Sequence, residues 1–219
     1  MRPKAGVERR AATPLAGAAA GILFAALFTV SVAIIVTSMH ELPTDTGAWL
    51  ETDAGRFKFA VGLMPFAGLF FLWFIAVARE RLGKHEDQFF ATVFLGSGLL
   101  FLAMIFGAAA SAGAIAATYT SDPSGFTSST TYVYARQMVG QIFTVYALRM
   151  AAVFLISQAT LWLRTGVMPK WLAYPTYVVA VVLLFATTQA IWIVLVFPAW
   201  VFLISVYILV THLRSGAEV

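Results

Sequence analysis

The stretch LAGAAAGILFAALFTVSVAIIVTS, Leu15–Ser38, decides the fold class because it is uncharged and long enough to cross a bilayer. A helix needs about 20 apolar residues to span the hydrocarbon layer. A basic leader, MRPKAGVERR, precedes the stretch, as it does in a secretory signal peptide. The apolar run is about twice as long as the hydrophobic region of such a peptide, and no A-x-A cleavage site follows it. We therefore expect a retained transmembrane helix.

The composition of the whole chain points to the same environment. Of its 219 residues, 61% are hydrophobic and only 11% are charged, whereas soluble domains carry about 25% charged residues. A soluble core of this size cannot bury so much apolar side chain. The chain also has no cysteine, which excludes disulfides, thiolate metal sites and a cysteine nucleophile.

The apolar runs predict an all-α, polytopic transmembrane bundle that forms one domain over residues 1–219. Its six spans are Leu15–Ser38, Phe59–Ala78, Phe89–Thr118, Tyr132–Leu163, Trp171–Thr187 and Ala190–Thr211. The last two are interpreted as a hairpin that turns at Thr187–Gln189. A single helix over both would be about 60 Å long, which is twice the hydrocarbon thickness.

The positions of lysine and arginine predict that both termini are cytoplasmic. With the N-terminus inside, the outer loops hold only Arg56 and Lys58. The cytoplasmic segments hold ten basic residues: Arg2, Lys4, Arg9, Arg10, Arg79, Arg81, Lys84, Arg164, Lys170 and Arg214. This excess is the positive-inside signal of a multi-pass protein of the cell membrane. The net charge is +4, and the basic residues lie mainly at the ends of spans. This distribution argues against nucleic acid as a partner.

The sequence offers no convincing catalytic constellation, metal site or cofactor site, so we do not expect an enzyme. The three histidines lie at membrane edges or in a loop, and no span contains aspartate or glutamate. Proton relays in membranes usually need such a carboxylate. LGSG at Leu95–Gly98 resembles a rhomboid protease motif without its first glycine, so Ser97 is interpreted as a packing residue. HED at His85–Asp87 is interpreted as helix capping, not as a metal site.

One residue breaks the apolar pattern of the fourth span. Arg149 lies inside VYALRMAAVF, Val145–Phe154, and an arginine at the centre of a span costs about 2.5–3.5 kcal/mol. At about 100° per residue, four further polar residues fall on the same side of the helix. They are Tyr134, Gln141, Tyr146 and Ser157. We call these four and Arg149 the polar stripe, and we expect it to face the bundle interior or a water-filled cavity.

Three interpretations of Arg149 are open. It ties the fourth span to carbonyls and tyrosine hydroxyls, or it binds an anionic or zwitterionic group in an outward-open cavity. In the third, it reaches outer lipid headgroups from a lipid-facing position. Asp122, Glu51 and Asp53 of the outer loops are candidate acidic partners. Arg136 falls on the opposite side of the span and receives no role.

Small residues mark faces where helices contact each other. They occur as GAAAG at Gly17–Gly21 and as GAAASAGA at Gly107–Ala114. Small side chains let helix backbones approach closely in lipid. Packing within the bundle is one interpretation. A homo-oligomer, or contact with another membrane protein, is the alternative.

Three segments resemble families of multi-span membrane proteins of unknown function from actinobacteria. They are FFATVFLGSGLLF (Phe89–Phe101), LWLRTGVMPKWLAYPTYV (Leu161–Val178) and FPAWVFLISVYILV (Phe197–Val210). The resemblance covers most of the chain from the second span onward. It implies a bacterial plasma-membrane protein and carries no assigned chemistry, so no functional residue is transferred.

Two functions follow as expectations. In the first, a non-enzymatic membrane protein binds or passes a small anionic or zwitterionic solute at a polar pocket around Arg149. In the alternative, the chain is an accessory or structural subunit of a membrane complex. An intramembrane enzyme comes third, because it needs converging acid and base groups that the sequence does not show.

Overall fold

The computed structural model describes residues 5–39, 47, 49–82, 88–185 and 191–216. In chain order the helices are α1 (Ala5–Ser38), α2 (Trp49–Thr52), α3 (Ala54–Leu82), α4 (Gln88–Ser121), α5 (Pro123–Thr127), α6 (Thr130–Gln141), α7 (Leu148–Thr165), α8 (Lys170–Phe185) and α9 (Val196–Gly216). A π-helical segment, Ile142–Ala147, joins α6 to α7, and a 3-10 turn, Ile191–Leu195, leads into α9. These residues form no strand, so the all-α prediction is confirmed for the described part of the chain.

Five helical stretches are long and apolar enough to cross a membrane. The first four predicted spans lie within α1, α3, α4 and the continuous helix from α6 to α7. The fifth stretch, Trp192–Arg214, begins in the 3-10 turn and continues through most of α9. Helix α8 has 16 residues, or about 24 Å, which is slightly less than a hydrocarbon layer. The predicted capping at His85–Asp87 and the turn at Thr187–Gln189 lie outside the described residues.

A cluster of aromatic rings fills the centre of the bundle. Helix α1 packs along α3 and α9, and α4 packs against α3 and α7. Five helices each contribute a buried phenylalanine to its middle: Phe24, Phe71, Phe101, Phe154 and Phe197. The ring of Phe71 contacts the other four, with centroid distances from 4.6 to 5.7 Å. Aromatic pairs contribute about 0.5–1.5 kcal/mol each beyond their buried area, so this phenylalanine cluster ties the five helices together.

The first small-residue segment packs inside the bundle. A Cβ atom added at Gly17 would lie 2.6 Å from Cγ1 of Val77, and one added at Gly21 would collide with the hydroxyl of Ser205. Helix α1 therefore approaches α3 and α9 more closely than any larger residue allows. This contact explains Gly17–Gly21 without an oligomer.

A buried tyrosine joins the short helix α2 to the start of α6. Helix α6 begins with Ser129 as its cap, whose hydroxyl accepts a hydrogen bond from the backbone N–H of Tyr132 at 3.2 Å. The ring of Tyr132 is buried, and its hydroxyl accepts a hydrogen bond from Nε1 of Trp49 at 3.1 Å. The start of α6 is thereby fixed against α2, one turn before Arg136.

Candidate functional site

Arg149 lies on the outward surface of α7. Its side chain is exposed, and its Nη1 donates a hydrogen bond to the backbone carbonyl of Val145 at 2.9 Å. This carbonyl lies one turn towards the N-terminal end of the helix, which is the direction in which helical side chains lean. The guanidinium therefore extends along its own helix and not into the bundle.

Only one of the five residues of the polar stripe is buried. Tyr134 and Tyr146 are 68% and 58% exposed, and Gln141 is exposed as well. Ser157 is buried, and its hydroxyl donates to the carbonyl one turn earlier in the same helix at 2.9 Å. Only Ser157 thus meets the expectation that the stripe faces the bundle interior. A ligand-binding role for the stripe stays a prediction.

The length of the helix gives a physical reason for this difference. The helix from α6 to α7 covers 36 residues, or about 54 Å, against about 30 Å of hydrocarbon. Helix α6 can extend beyond the hydrocarbon, where outward polar side chains cost little. The π-helical segment has wider turns closed by i→i+5 hydrogen bonds. These wider turns change the direction in which Ser157 points relative to the side chains of α6. The sequence of the segment, IFTVYA, contains no proline or glycine that would indicate this change.

The acids that the sequence offered as partners of Arg149 make other contacts. The side chain of Asp122 accepts a hydrogen bond from the backbone N–H of Gly125 at 3.1 Å and caps α5. The carboxylate of Glu51 lies close to the side chain of Tyr119. Within the described residues, no ion pair joins Arg149 to these acids or to Asp53.

A cavity of about 180 Å³ lies beside a different arginine, between the C-terminal end of α1 and the end of α6. Its apolar walls are formed by Val32, Ile35, Val36, Met39, Val139, Phe143 and Val194. Arg136 and Gln137 supply the polar side chains of the lining. We call this space the Arg136 cavity. It combines one guanidinium with an apolar interior.

Gly140 keeps the Arg136 cavity open. It belongs to the lining, and a Cβ atom added there would meet no atom within 4 Å. Its carbonyl accepts a hydrogen bond from Oγ1 of Thr144 at 2.8 Å, so the backbone at the start of the π-helical segment is satisfied. A larger side chain at this position would therefore fill space and not displace a neighbour.

The chemistry of Arg136 suits an anion. A guanidinium is charged at any physiological pH and binds carboxylate or phosphate through two parallel hydrogen bonds. Beside apolar walls, the lower effective dielectric strengthens such contacts. The Arg136 cavity can thus hold an anionic group at Arg136 and a small apolar body against α1.

The sequence interpretation missed this site because it counted positions around Arg149. Arg136 fell on the other side of the helix and received no role. One signal was available: Arg136 and Gln137 stand next to each other within a predicted span whose apolar sequence contains no acid. The cavity itself depends on the gap between α1 and α6, which no local pattern encodes.

Within the part of the chain that the structure describes, no group of three or more histidine, aspartate or glutamate side chains is placed to hold a metal ion. Comparison with protein-family models, with curated proteins and with solved structures found no match to this chain. Its chemistry is therefore inferred from its own side chains.

Proposed function

We propose that this chain is a multi-pass membrane protein that binds a small anionic or zwitterionic solute in the Arg136 cavity, without catalysing a reaction on it. One observation carries the proposal: Arg136 borders a cavity of about 180 Å³ whose remaining walls, apart from Gln137, are apolar. The five helices long and apolar enough to cross a membrane are compatible with the multi-pass setting.

The volume of the cavity suits a small solute. An apolar protein cavity of about 150 Å³ holds one benzene molecule, so a solute body of about one ring fits within it. The guanidinium of Arg136 favours a carboxylate or a phosphate on that body. The amide of Gln137 can donate or accept a hydrogen bond, which suits the second group of a zwitterion. Benzoate has the ring and the carboxylate, without the second group, and serves as the simplest probe.

We further propose six spans with both termini on the cytoplasmic side of a bacterial plasma membrane, the location that the resemblance implies. Two neighbourhoods support the sixth crossing. Met168, between α7 and α8, lines one cavity with Gly17 of α1 and Ile208 of α9. Val194, after α8, lines the other cavity with Ile35, near the opposite end of α1. The excess of basic residues favours the cytoplasm for the Gly17 end.

The proposal is tested by the melting temperature of the purified protein in detergent with increasing benzoate. A ligand that binds only the folded state stabilises it by about 2.7 kcal/mol at 100 times its dissociation constant. For a chain of this length, that corresponds to a rise of about 5–11 °C. Benzyl alcohol, which has the same ring without the charge, is expected to give a smaller rise.

Two matched variants locate the site. Arg136→Gln removes the charge at the cavity, and Arg149→Gln makes the same change on the outward surface of the same helix. We expect benzoate to stabilise Arg149→Gln as it does the wild type and to lose its effect on Arg136→Gln. Equal stabilisation of both variants would contradict an arginine site. If benzoate fails to stabilise only the Arg149→Gln variant, the binding site lies at the polar stripe and not in the Arg136 cavity.

The alternative, an accessory subunit of a membrane complex, draws support from α4. Ala108 and Ala112 of its small-residue segment are buried, whereas Ala110 and Ala114 are exposed. A second helix could approach closely along the exposed part. A subunit of this kind predicts a membrane-protein partner that co-purifies at near-equal stoichiometry and a chain that is unstable without it.

A further inference from the structure

The Arg136 cavity is elongated, because each of its two main walls is one face of a helix. Helix α1 and the helix from α6 to α7 both line it with residues spaced by three, four and seven positions, which is the spacing of a single helix face. Seven residues of helix extend over about 10 Å, so the cavity follows both helices for about this length. The two faces are formed by Val32, Ile35, Val36 and Met39 of α1, and by Arg136, Val139, Gly140 and Phe143.

The cavity has one polar end and one apolar end. Helix α1 and the helix from α6 to α7 run in opposite directions, because the first apolar turns of α1 line another cavity together with the last turns of α7. Arg136 therefore lies level with Met39, and Phe143 lies level with Val32. Both polar side chains of the lining, Arg136 and Gln137, belong to the Met39 end. The Val32 end is lined only by apolar side chains.

The phenylalanine cluster lies just beyond the apolar end. Phe28 precedes Val32 by one turn of α1, and its ring contacts that of Phe101 in the cluster, with centroids 5.9 Å apart. On the third wall, Val194 lines the cavity, and Phe197 of the cluster follows it by one turn. A solute with its charge at Arg136 therefore has its other end directed towards the centre of the bundle, against aliphatic and aromatic side chains.

We propose, building on the binding function above, that the solute of the Arg136 cavity is an amphiphilic anion. Its head is a carboxylate or a phosphate at Arg136, and its unbranched alkyl tail lies between α1 and α6 with its end near Val32. An extended chain advances about 1.2 Å per bond, as a peptide backbone does, so a tail of about eight carbons matches the length of the cavity. A single ring occupies only part of this length.

The melting temperature of the purified protein in detergent tests the proposal with butyrate, hexanoate and octanoate. The shift measured for Arg136→Gln is subtracted, which removes the effect of partition into the micelle. Burial of one methylene group strengthens binding about fourfold, so octanoate should give the same rise as butyrate at a concentration lower by roughly tenfold or more. Hexanol, which lacks the charge, should give a smaller rise than hexanoate.

A matched pair of variants tests the direction of the tail. Val32→Phe fills the apolar end of the cavity, so octanoate should lose its advantage over butyrate, while butyrate keeps its effect. Val30→Phe makes the same change on the same helix, at a position that is 47% exposed and does not line the cavity. This variant should respond to the three carboxylates as the wild type does. The wild-type series decides by itself if Val32→Phe does not fold.

Four results would overturn the proposal. If benzoate and butyrate stabilise the wild type and octanoate is no better than butyrate, the tail has no site, although the anion-binding function stands. If no carboxylate stabilises the wild type more than Arg136→Gln, the function and its amphiphilic solute both fail. Equal rises with hexanol and hexanoate would mean that the charge plays no part. An undiminished advantage of octanoate in Val32→Phe would mean that the tail lies elsewhere.

Discussion

At the scale of single residues, two arginines of one long helix differ in what surrounds them. Arg136 borders a cavity, whereas Arg149 is exposed and bonded to a carbonyl of its own helix. At 1.5 Å per residue, Arg149 lies about 22 Å along the helix from Arg164. With Arg164 at one edge of a hydrocarbon layer of about 30 Å, Arg149 lies beyond its middle. From there its long side chain can reach lipid headgroups. The contacts therefore favour the lipid-facing interpretation of Arg149.

This interpretation predicts that Arg149→Leu folds and keeps its stability. Exposed substitutions usually change stability by about 0.5 kcal/mol or less, so the melting temperature in detergent should stay within about 2 °C of the wild type or rise. Phe154→Ala, a buried neighbour on the same helix, should lose about 3–5 kcal/mol and calibrate the assay. If Arg149→Leu instead melts as low as Phe154→Ala, the arginine is a structural tie.

At the scale of helices, the sequence predicts what depends on local composition. Span length is a local property, so α1, α3 and α4 contain their predicted spans. The π-helical segment is different, because IFTVYA fits an α-helix equally well and the packing around it selects the wider turn. The Arg136 cavity also cannot be predicted from local sequence composition. It exists because α1 and α6 leave a gap, and a gap is a property of two helices together.

Glycine substitutions test which gaps are open. Gly140→Ala adds a methyl group in open space, and replacing a helical glycine by alanine should raise stability by about 0.5–1 kcal/mol. Gly21→Ala makes the same change where the methyl group would meet Ser205, and such overpacking should cost about 1–3 kcal/mol. Thermal unfolding of both variants in detergent measures the contrast. A loss of stability in Gly140→Ala would mean that the Arg136 cavity is closed at this position.

A larger side chain at Gly140 distinguishes the effect of lost cavity space from the effect of a lost charge on benzoate binding. Gly140→Leu should fill the Arg136 cavity and abolish stabilisation by benzoate while Arg136 stays in place. Full benzoate stabilisation of this variant would show that the anion binds elsewhere.

At the scale of the whole molecule, the phenylalanine cluster lies between the Arg136 cavity and a second cavity, which is lined by Gln158, Gly17 and Met168. Phe154 precedes Gln158 by one turn, and Phe197 follows Val194 of the Arg136 cavity by one turn. The rings of Phe154 and Phe197 also contact each other, with centroids 6.0 Å apart. A solute in the Arg136 cavity would therefore meet a packed aromatic layer before it reached the cavity that Gln158 lines. In this conformation the chain suits binding, and passage would require the cluster to open.

The number of crossings is the last property of the whole molecule, and the absence of cysteine from the chain makes it measurable. Single cysteines at Ser128, Val167 and Trp192 would report on three connections through exposed positions. A membrane-impermeant maleimide, applied to right-side-out and inverted vesicles, reads the side of each. With six spans, Ser128→Cys and Trp192→Cys should react in right-side-out vesicles, and Val167→Cys should react only in inverted ones. If Trp192→Cys reacts on the side of Val167→Cys, α8 does not cross and the chain has five spans. If each of the three cysteines reacts on the side opposite to the one expected, the chain still has six spans, but the proposed cytoplasmic location of the termini is wrong.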